Sequence, residues 1–213
     1  MDIRVLYENN GYIVCQKPFG ITSEDGKVKG MPTLLNEEKP LLTVHRLDRE
    51  VGGVMVYAKS SKAAAKLSAQ VTDKTFFKEY IAVVEGEVDS SGRYEDLLFK
   101  DSSKNKSYVV KRERKGVKKA ILNFERVAVA SCEGQLLSLI KIKLETGRTH
   151  QIRVQFSSRN HAVFGDKKYG SKLNGGFGLF LKKIGFKCTE TGEYKEYDLP
   201  LPNTIPWSVF EVE

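Results

Sequence analysis

The sequence predicts an α+β protein, with a mixed, mostly antiparallel sheet flanked by helices and loops. Segments with strand-like alternation recur along the whole chain, separated by turn signals. Helical patterns are few, so strands distant in sequence must pair with one another. No internal repeat, linker or low-complexity tract interrupts the 213 residues, which implies a single domain over residues 1–213. With 40% hydrophobic and 29% charged residues, the composition excludes wholesale disorder and supports a sizeable core.

The elements follow in order. Arg4–Tyr7 and Tyr12–Cys15 are β-rich, and Asn9-Asn10-Gly11 between them is a strong hairpin turn. Lys17-Pro18-Phe19-Gly20 ends the second strand, and residues 20–40 read as a polar, irregular loop. A strand is expected over Val54–Ala58. Ser60 or Ser61 then caps a helix through Lys62–Gln70, where alanine is the best helix former. Phe76–Val88 returns to strand, with Phe76, Lys78, Tyr80, Ala82 and Val84 on one face. Ala120–Ala130 and Gln135–Leu144 are two strands around the turn Glu133-Gly134. Thr149 caps a helix whose Ile152 and Phe156 share one side. Gly165-Asp166 starts a turn, and strands around Phe177–Phe186 and Tyr194–Leu199 precede a proline-spaced tail to Trp207.

The formal net charge is +8 and the pI about 9.2, a balance that suits an acidic partner, nucleic acid being the commonest. Six basic side chains between residues 111 and 120 form either a phosphate-touching turn or a solvated face. Cys15, Cys132 and Cys188 are isolated, with no CxxC pair, so they read as reduced thiols of a cytoplasmic protein. No apolar leader or run of 18 apolar residues is present. Three histidines without clustered carboxylates argue against a metal site, and no GxSxG elbow or Walker loop is found.

The segment His45-Arg46-Leu47-Asp48-Arg49-Glu50-Val51-Gly52-Gly53 sets a carboxylate among basic residues, just before a glycine pair and a strand. An aspartate ionises near pH 3.9 in water, and burial would require a cation to keep it charged. A second segment, Thr146-Gly147-Arg148-Thr149-His150-Gln151-Ile152-Arg153-Val154-Gln155, offers one. Taken alone, His45 and Asp48 are better explained by a hydrogen-bonded structural pair than by a catalytic one.

Together with Gly53-Val54-Met55-Val56-Tyr57-Ala58-Lys59, Lys78-Glu79-Tyr80-Ile81-Ala82-Val83-Val84-Glu85-Gly86, Gly165-Asp166 and the opening hairpin through Lys17-Pro18, these blocks resemble the RluA-type pseudouridine synthases in order and spacing. The resemblance covers roughly residues 3 to 210. It implies the pseudouridine synthase catalytic fold, no cofactor, no metal, and conversion of uridine in RNA to its C-glycoside isomer. Asp48 matches the catalytic carboxylate, Arg153 the arginine that pairs with it, and Tyr80 the tyrosine that lies on uracil. Ile152 would form the opposite pocket wall, and Arg46 would fill the gap left by an extruded base. Lys78 flanks Tyr80 on its face; His45, Arg148, His150 and Gln151 are expected either to touch RNA or to brace the active-site loop. The implied partner is a structured ribosomal or transfer RNA, ribosomal first, met by a monomer without a preceding S4-type domain. A catalytically silent RNA-binding protein on the same scaffold is the alternative. Two departures stand out: Val51-Gly52 occupies the family's Thr-Ser positions, and Gly178-Leu179-Phe180 stands near its Leu-His-Ala.

Overall fold

The computed structural model describes residues 3–39 and 41–210; Met1, Asp2, Pro40 and residues 211–213, including both ends of the 1–213 domain assignment, lie outside. In chain order the elements are β1 (Val5–Glu8), β2 (Tyr12–Lys17), α1 (Met31–Leu35), β3 (Leu42–Thr43), β4 (Gly52–Ala58), α2 (Ser61–Thr72) and β5 (Phe77–Glu85). They continue with β6 (Ser91–Asp101), β7 (Lys106–Val110), β8 (Val117–Cys132), β9 (Gln135–Leu144), α3 (Gln151–Ser157), β10 (Leu179–Lys187) and β11 (Tyr194–Asp198). The chain divides into two compact units, one of Met1–Glu79 with Phe180–Pro200, the other of Tyr80–Leu179 with Leu201–Glu213.

In the first unit the strand order is β1-β2-β4-β10, with β11 beside β10. The turn at Asn9-Asn10-Gly11 closes as expected: the Asn9 side-chain oxygen accepts from the Gly11 and Tyr12 amides at 2.9 and 2.8 Å. β4 runs antiparallel to β2 from Tyr12↔Ala58 to Lys17↔Gly53 and parallel to β10 at Phe180↔Gly52 and Leu181↔Gly53. Every residue of β4 is buried, as befits a central strand. Ser60 caps α2, its side chain accepting from the Ala63 amide. The loop expected over residues 20–40 contains the one-turn helix α1, with Pro32 in its first turn, where proline is tolerated. Tyr12, Phe76 and Phe186 pack their rings at 5.2–5.3 Å in this unit's core.

In the second unit the order is β5-β9-β8-β6-β7. β6 and β7 add to the strands expected from the sequence: β6 alternates exposed and half-buried positions over residues 91–96 and then buries Leu98 in a cluster with Ala120, Val154 and Tyr169. β8 pairs β6 on one edge and β9 on the other, with a register shift between Arg126 and Ala128. α3 is buried over Gln151–Phe156, polar residues included. Tyr94, Phe124 and Phe156 meet at 4.8–5.4 Å beneath it.

Candidate active site

The Asp48 segment belongs to the first unit. The Asp48 carbonyl accepts from the Val51 amide at 3.0 Å, so Asp48 opens a tight turn that leads into β4. Ser23 staples the turn from the preceding loop: its hydroxyl donates to the Leu47 carbonyl at 2.8 Å and accepts from the Leu47 amide at 2.9 Å. Leu47 is buried, Asp48 half-buried and Arg46 exposed, with Arg46 3.2 Å from Glu24. One turn therefore anchors Leu47 inward while Asp48 stays half-buried and Arg46 exposed.

Lys17 holds the other side of this turn. Its side chain is fully buried at the end of β2, and its ammonium donates to the Pro18 and Arg49 carbonyls at 2.9 and 3.1 Å. Burial pushes its pKa down to about 8, while the charges of Glu50 and Asp48 pull it back up. The sequence offers Arg153 as the cation for Asp48; Lys17 also lies within the field of Asp48, in the first unit. The signal that could have found it is a lysine ending a buried strand, where an ammonium requires acceptors.

Both departures from the family pattern meet here. Gly52 is in register with Phe180, and a Cβ at Gly52 would lie 2.9 Å from the Phe19 ring. Phe19 in turn stacks on Phe180 with centroids 5.9 Å apart. Gly53, at φ +137°, would place a Cβ 2.4 Å from the Leu181 carbonyl oxygen, so only glycine lets β10 approach this closely.

His45 is 4% exposed, and its Nε2 accepts from the Val56 amide at 3.4 Å while its ring packs 5.3 Å from Phe76. Burial and the Lys78 charge hold its pKa well below the usual imidazole value. Lys78 is half-buried over the Phe76 ring at 5.3 Å, and burial lowers its pKa to about 8.

The second unit holds Tyr80, Arg148, His150, Gln151, Ile152 and Arg153. Tyr80 is buried in β5, and Ile152 is buried on α3. The helix start differs from expectation: His150, in the left-handed region at φ 54°, is the N-cap rather than Thr149. His150 Nδ1 lies 2.9 Å from the Tyr169 hydroxyl. Gln151 braces the Thr146–Arg148 turn, its side-chain oxygen accepting from the Thr146 hydroxyl and the Arg148 amide at 2.9 and 3.0 Å. Of the four residues left between RNA contact and bracing, His45, His150 and Gln151 are buried and each makes a hydrogen bond within the fold. Arg148 is half-buried, with Nε donating to the Lys119 carbonyl at 2.9 Å.

Arg153 carries a partner that the sequence does not assign. Its Nε and Nη2 donate to the two carboxylate oxygens of Asp166 at 2.6 and 2.9 Å, with both side chains buried. The guanidinium lies 5.1 Å from the Tyr169 ring and 5.2 Å from the Phe177 ring.

A family model described as RNA pseudouridylate synthase matches residues 11–158, more than half of the chain. The chain is 31% identical over 222 residues to the uncharacterized RNA pseudouridine synthase YlyB of Bacillus subtilis, covering 96% of this chain and 71% of that protein. It is 35% identical over 199 residues to ribosomal large subunit pseudouridine synthase D of Borreliella burgdorferi, covering 85% of this chain and 57% of that protein. Thus the chain spans little more than half of one relative and over two thirds of the other. The fold resembles that of human RNA pseudouridylate synthase domain containing 1, with a TM-score of 0.77 at 20% identity, covering 94% of this chain and 84% of that one.

Proposed function

This chain belongs to the RNA pseudouridylate synthase family of RNA isomerases, and from that premise we propose that it converts specific uridines of structured RNA to pseudouridine with Asp48 as the catalytic carboxylate. The observation that carries the assignment is the stapled turn, which presents Asp48 half-buried between Ser23-anchored Leu47 and the carbonyl held by Lys17.

The reaction is an isomerisation. The N1–C1′ bond of uridine breaks, the base turns, C5 bonds to C1′, C5 releases its proton to solvent, and N1 takes one up. No electrons are exchanged with a third party. Asp48 begins the sequence, either by attacking C1′ or by taking the 2′ proton. Tyr80 supplies a stacking surface for uracil, a contact worth about 1–3 kcal/mol per base. Ile152 lines the apolar wall, and Arg153 serves the ionised carboxylate. The exposed Arg46 takes the place of the extruded base, with Lys78 and Arg148 as RNA contacts. Extrusion costs a few kcal/mol and least in loops, which favours a loop or bulge uridine.

Ribosomal RNA is the first candidate substrate, since one relative is named as a large-subunit enzyme. Residues 1–213 act as one catalytic domain in this reading, and the protein as a monomer in the cytoplasm, where its three free thiols suit a reducing compartment. Tritium release from RNA labelled at uridine C5 tests the function. Release that vanishes in Asp48→Asn supports it; RNA binding without any release by the wild-type chain would favour a silent RNA-binding protein.

A further inference from the structure

Arg153 is a costly residue for its position. It projects from α3, a helix buried over six consecutive residues, and it is 3% exposed. A buried ion pair rarely stabilises a fold beyond what apolar side chains of similar volume would supply. Packing alone therefore gives no reason for a guanidinium at 153 facing a carboxylate at 166.

The surroundings fix that guanidinium in both plane and rotation. Asp166 takes the edge formed by Nε and Nη2, so the planar group cannot turn without breaking two charge-assisted bonds. The rings of Tyr169 and Phe177 each lie within 5.2 Å of its central carbon. The partners are themselves held. The Asp166 amide donates to the Val163 carbonyl, and the Asp166 carbonyl accepts from the Tyr169 and Ser171 amides, all at 3.0 Å. Gly165, at φ +75°, would place a Cβ 2.3 Å from the Gly176 carbonyl oxygen, so glycine is required for the turn that aims Asp166. The Tyr169 hydroxyl accepts from the Ser107 amide at 2.8 Å and meets His150 Nδ1 at 2.9 Å. Two layers of hydrogen bonds thus stand behind one cation, as a preorganised reactive group requires.

We propose that Asp166 is a positioning residue for the isomerisation, holding the Arg153 guanidinium in one orientation through its charged fork. The inference rests on the function proposed above and assigns no direct contact between Asp166 and RNA. Asp166→Asn keeps the shape and one acceptor but loses the charged fork.

The test measures single-site tritium release by the full chain on an RNA that the wild type modifies. In Asp166→Asn, kcat is expected to fall about 100-fold, the scale of a misplaced reactive group, with KM within about threefold of wild type. Adding Asp166→Asn to Arg153→Ala should slow the enzyme no further, because Asp166 acts only through that arginine. Arg153→Lys keeps a cation beside Asp166 without the fork, and it should also lose kcat by at least about tenfold at near-constant KM. Wild-type kcat in Asp166→Asn, a loss confined to KM, or multiplicative losses in the double variant would each overturn the inference. Should Asp166→Asn fail to fold, Asp166→Glu, which keeps the charge but displaces the fork, decides: wild-type kcat there overturns the inference, and a kcat loss at near-constant KM supports it. Absence of release by the wild-type chain on any RNA strikes the proposed function itself, whereas release with an unimpaired Asp166→Asn strikes only this inference.

Discussion

Phe19 stacks on Phe180 across the start of β4, and the Gly52 backbone is what leaves room for that ring. Where the family pattern has a hydroxyl residue, this chain has no side chain, and an aromatic from the loop after β2 fills the volume. The substitution at 52 and the aromatic at 180 are thereby one packing solution. Gly52→Ser should cost about 1–3 kcal/mol by overpacking against Phe19. Urea unfolding will read the loss, and combining Gly52→Ser with Phe19→Ala should cost less than the sum of the two changes.

Asp48→Asn is expected to reduce pseudouridine formation by at least about 1,000-fold, within the range set by loss of a group acting directly in proton transfer or attack. RNA affinity should stay within about threefold, since a single half-buried carboxylate contributes little to phosphate binding. Tritium release and filter binding on the same RNA separate the two quantities. Full turnover by the variant would remove Asp48 from the reaction.

Arg46 gives the opposite signature to a structural residue. It is exposed, and its ion pair with Glu24 lies at the surface. Arg46→Ala should leave stability within about 0.5 kcal/mol of wild type. If its guanidinium replaces the extruded base, RNA turnover should fall about tenfold in kcat/KM at low substrate. Thermal melts and initial rates together check it.

Lys17 links the Asp48 turn to pH. Its folded pKa of about 8 lies below the ordinary 10.5. Between these values the unfolded chain holds a proton that the folded chain has released, so stability rises with pH through that window. The burial penalty is fully present below pH 8. Lys17→Met should remove the Lys17 share of this rise. It should also leave the Pro18 and Arg49 carbonyls without their donor, costing about 1–3 kcal/mol at neutral pH. Denaturation midpoints at pH 7, 9 and 10 measure both effects.

His45 acts on the acid side. Its folded pKa is held well below 6.5, so below that pH the unfolded chain binds the extra proton and stability falls as pH drops. His45→Leu should flatten the decline between pH 6.5 and 5, measured by the same midpoints. An unchanged slope would mean that His45 is not titrating on unfolding.

Local chemistry makes several elements legible in the sequence itself. Asn9-Asn10-Gly11 closes its hairpin, Ser60 caps the alanine-rich helix, and the central strand is found where expected, starting two residues earlier with the glycine pair itself. These features depend on φ/ψ preferences and side-chain period, which neighbouring residues specify among themselves. The order of the blocks around Asp48, Tyr80 and Arg153 points to the family for the same reason: each block is contiguous.

What the tertiary structure alone decided is which polar groups are buried and what compensates them. Ile152 and Phe156 suggest one apolar side of α3, yet Gln151, Arg153 and Gln155 are buried as well. Partners arrive from elsewhere: Thr146 and Ile121 for Gln151, Asp166 for Arg153, and Asp96 for the Gln155 amide nitrogen, while the Gln155 side-chain oxygen stays unpaired among the described residues. Lys17 likewise finds the Arg49 carbonyl 32 positions away. A periodic pattern records how often a side chain turns inward, not which distant donor or acceptor it will meet. Only the folded chain supplies that neighbour, and the desolvation cost of an unpaired charge is what makes the choice of neighbour decisive.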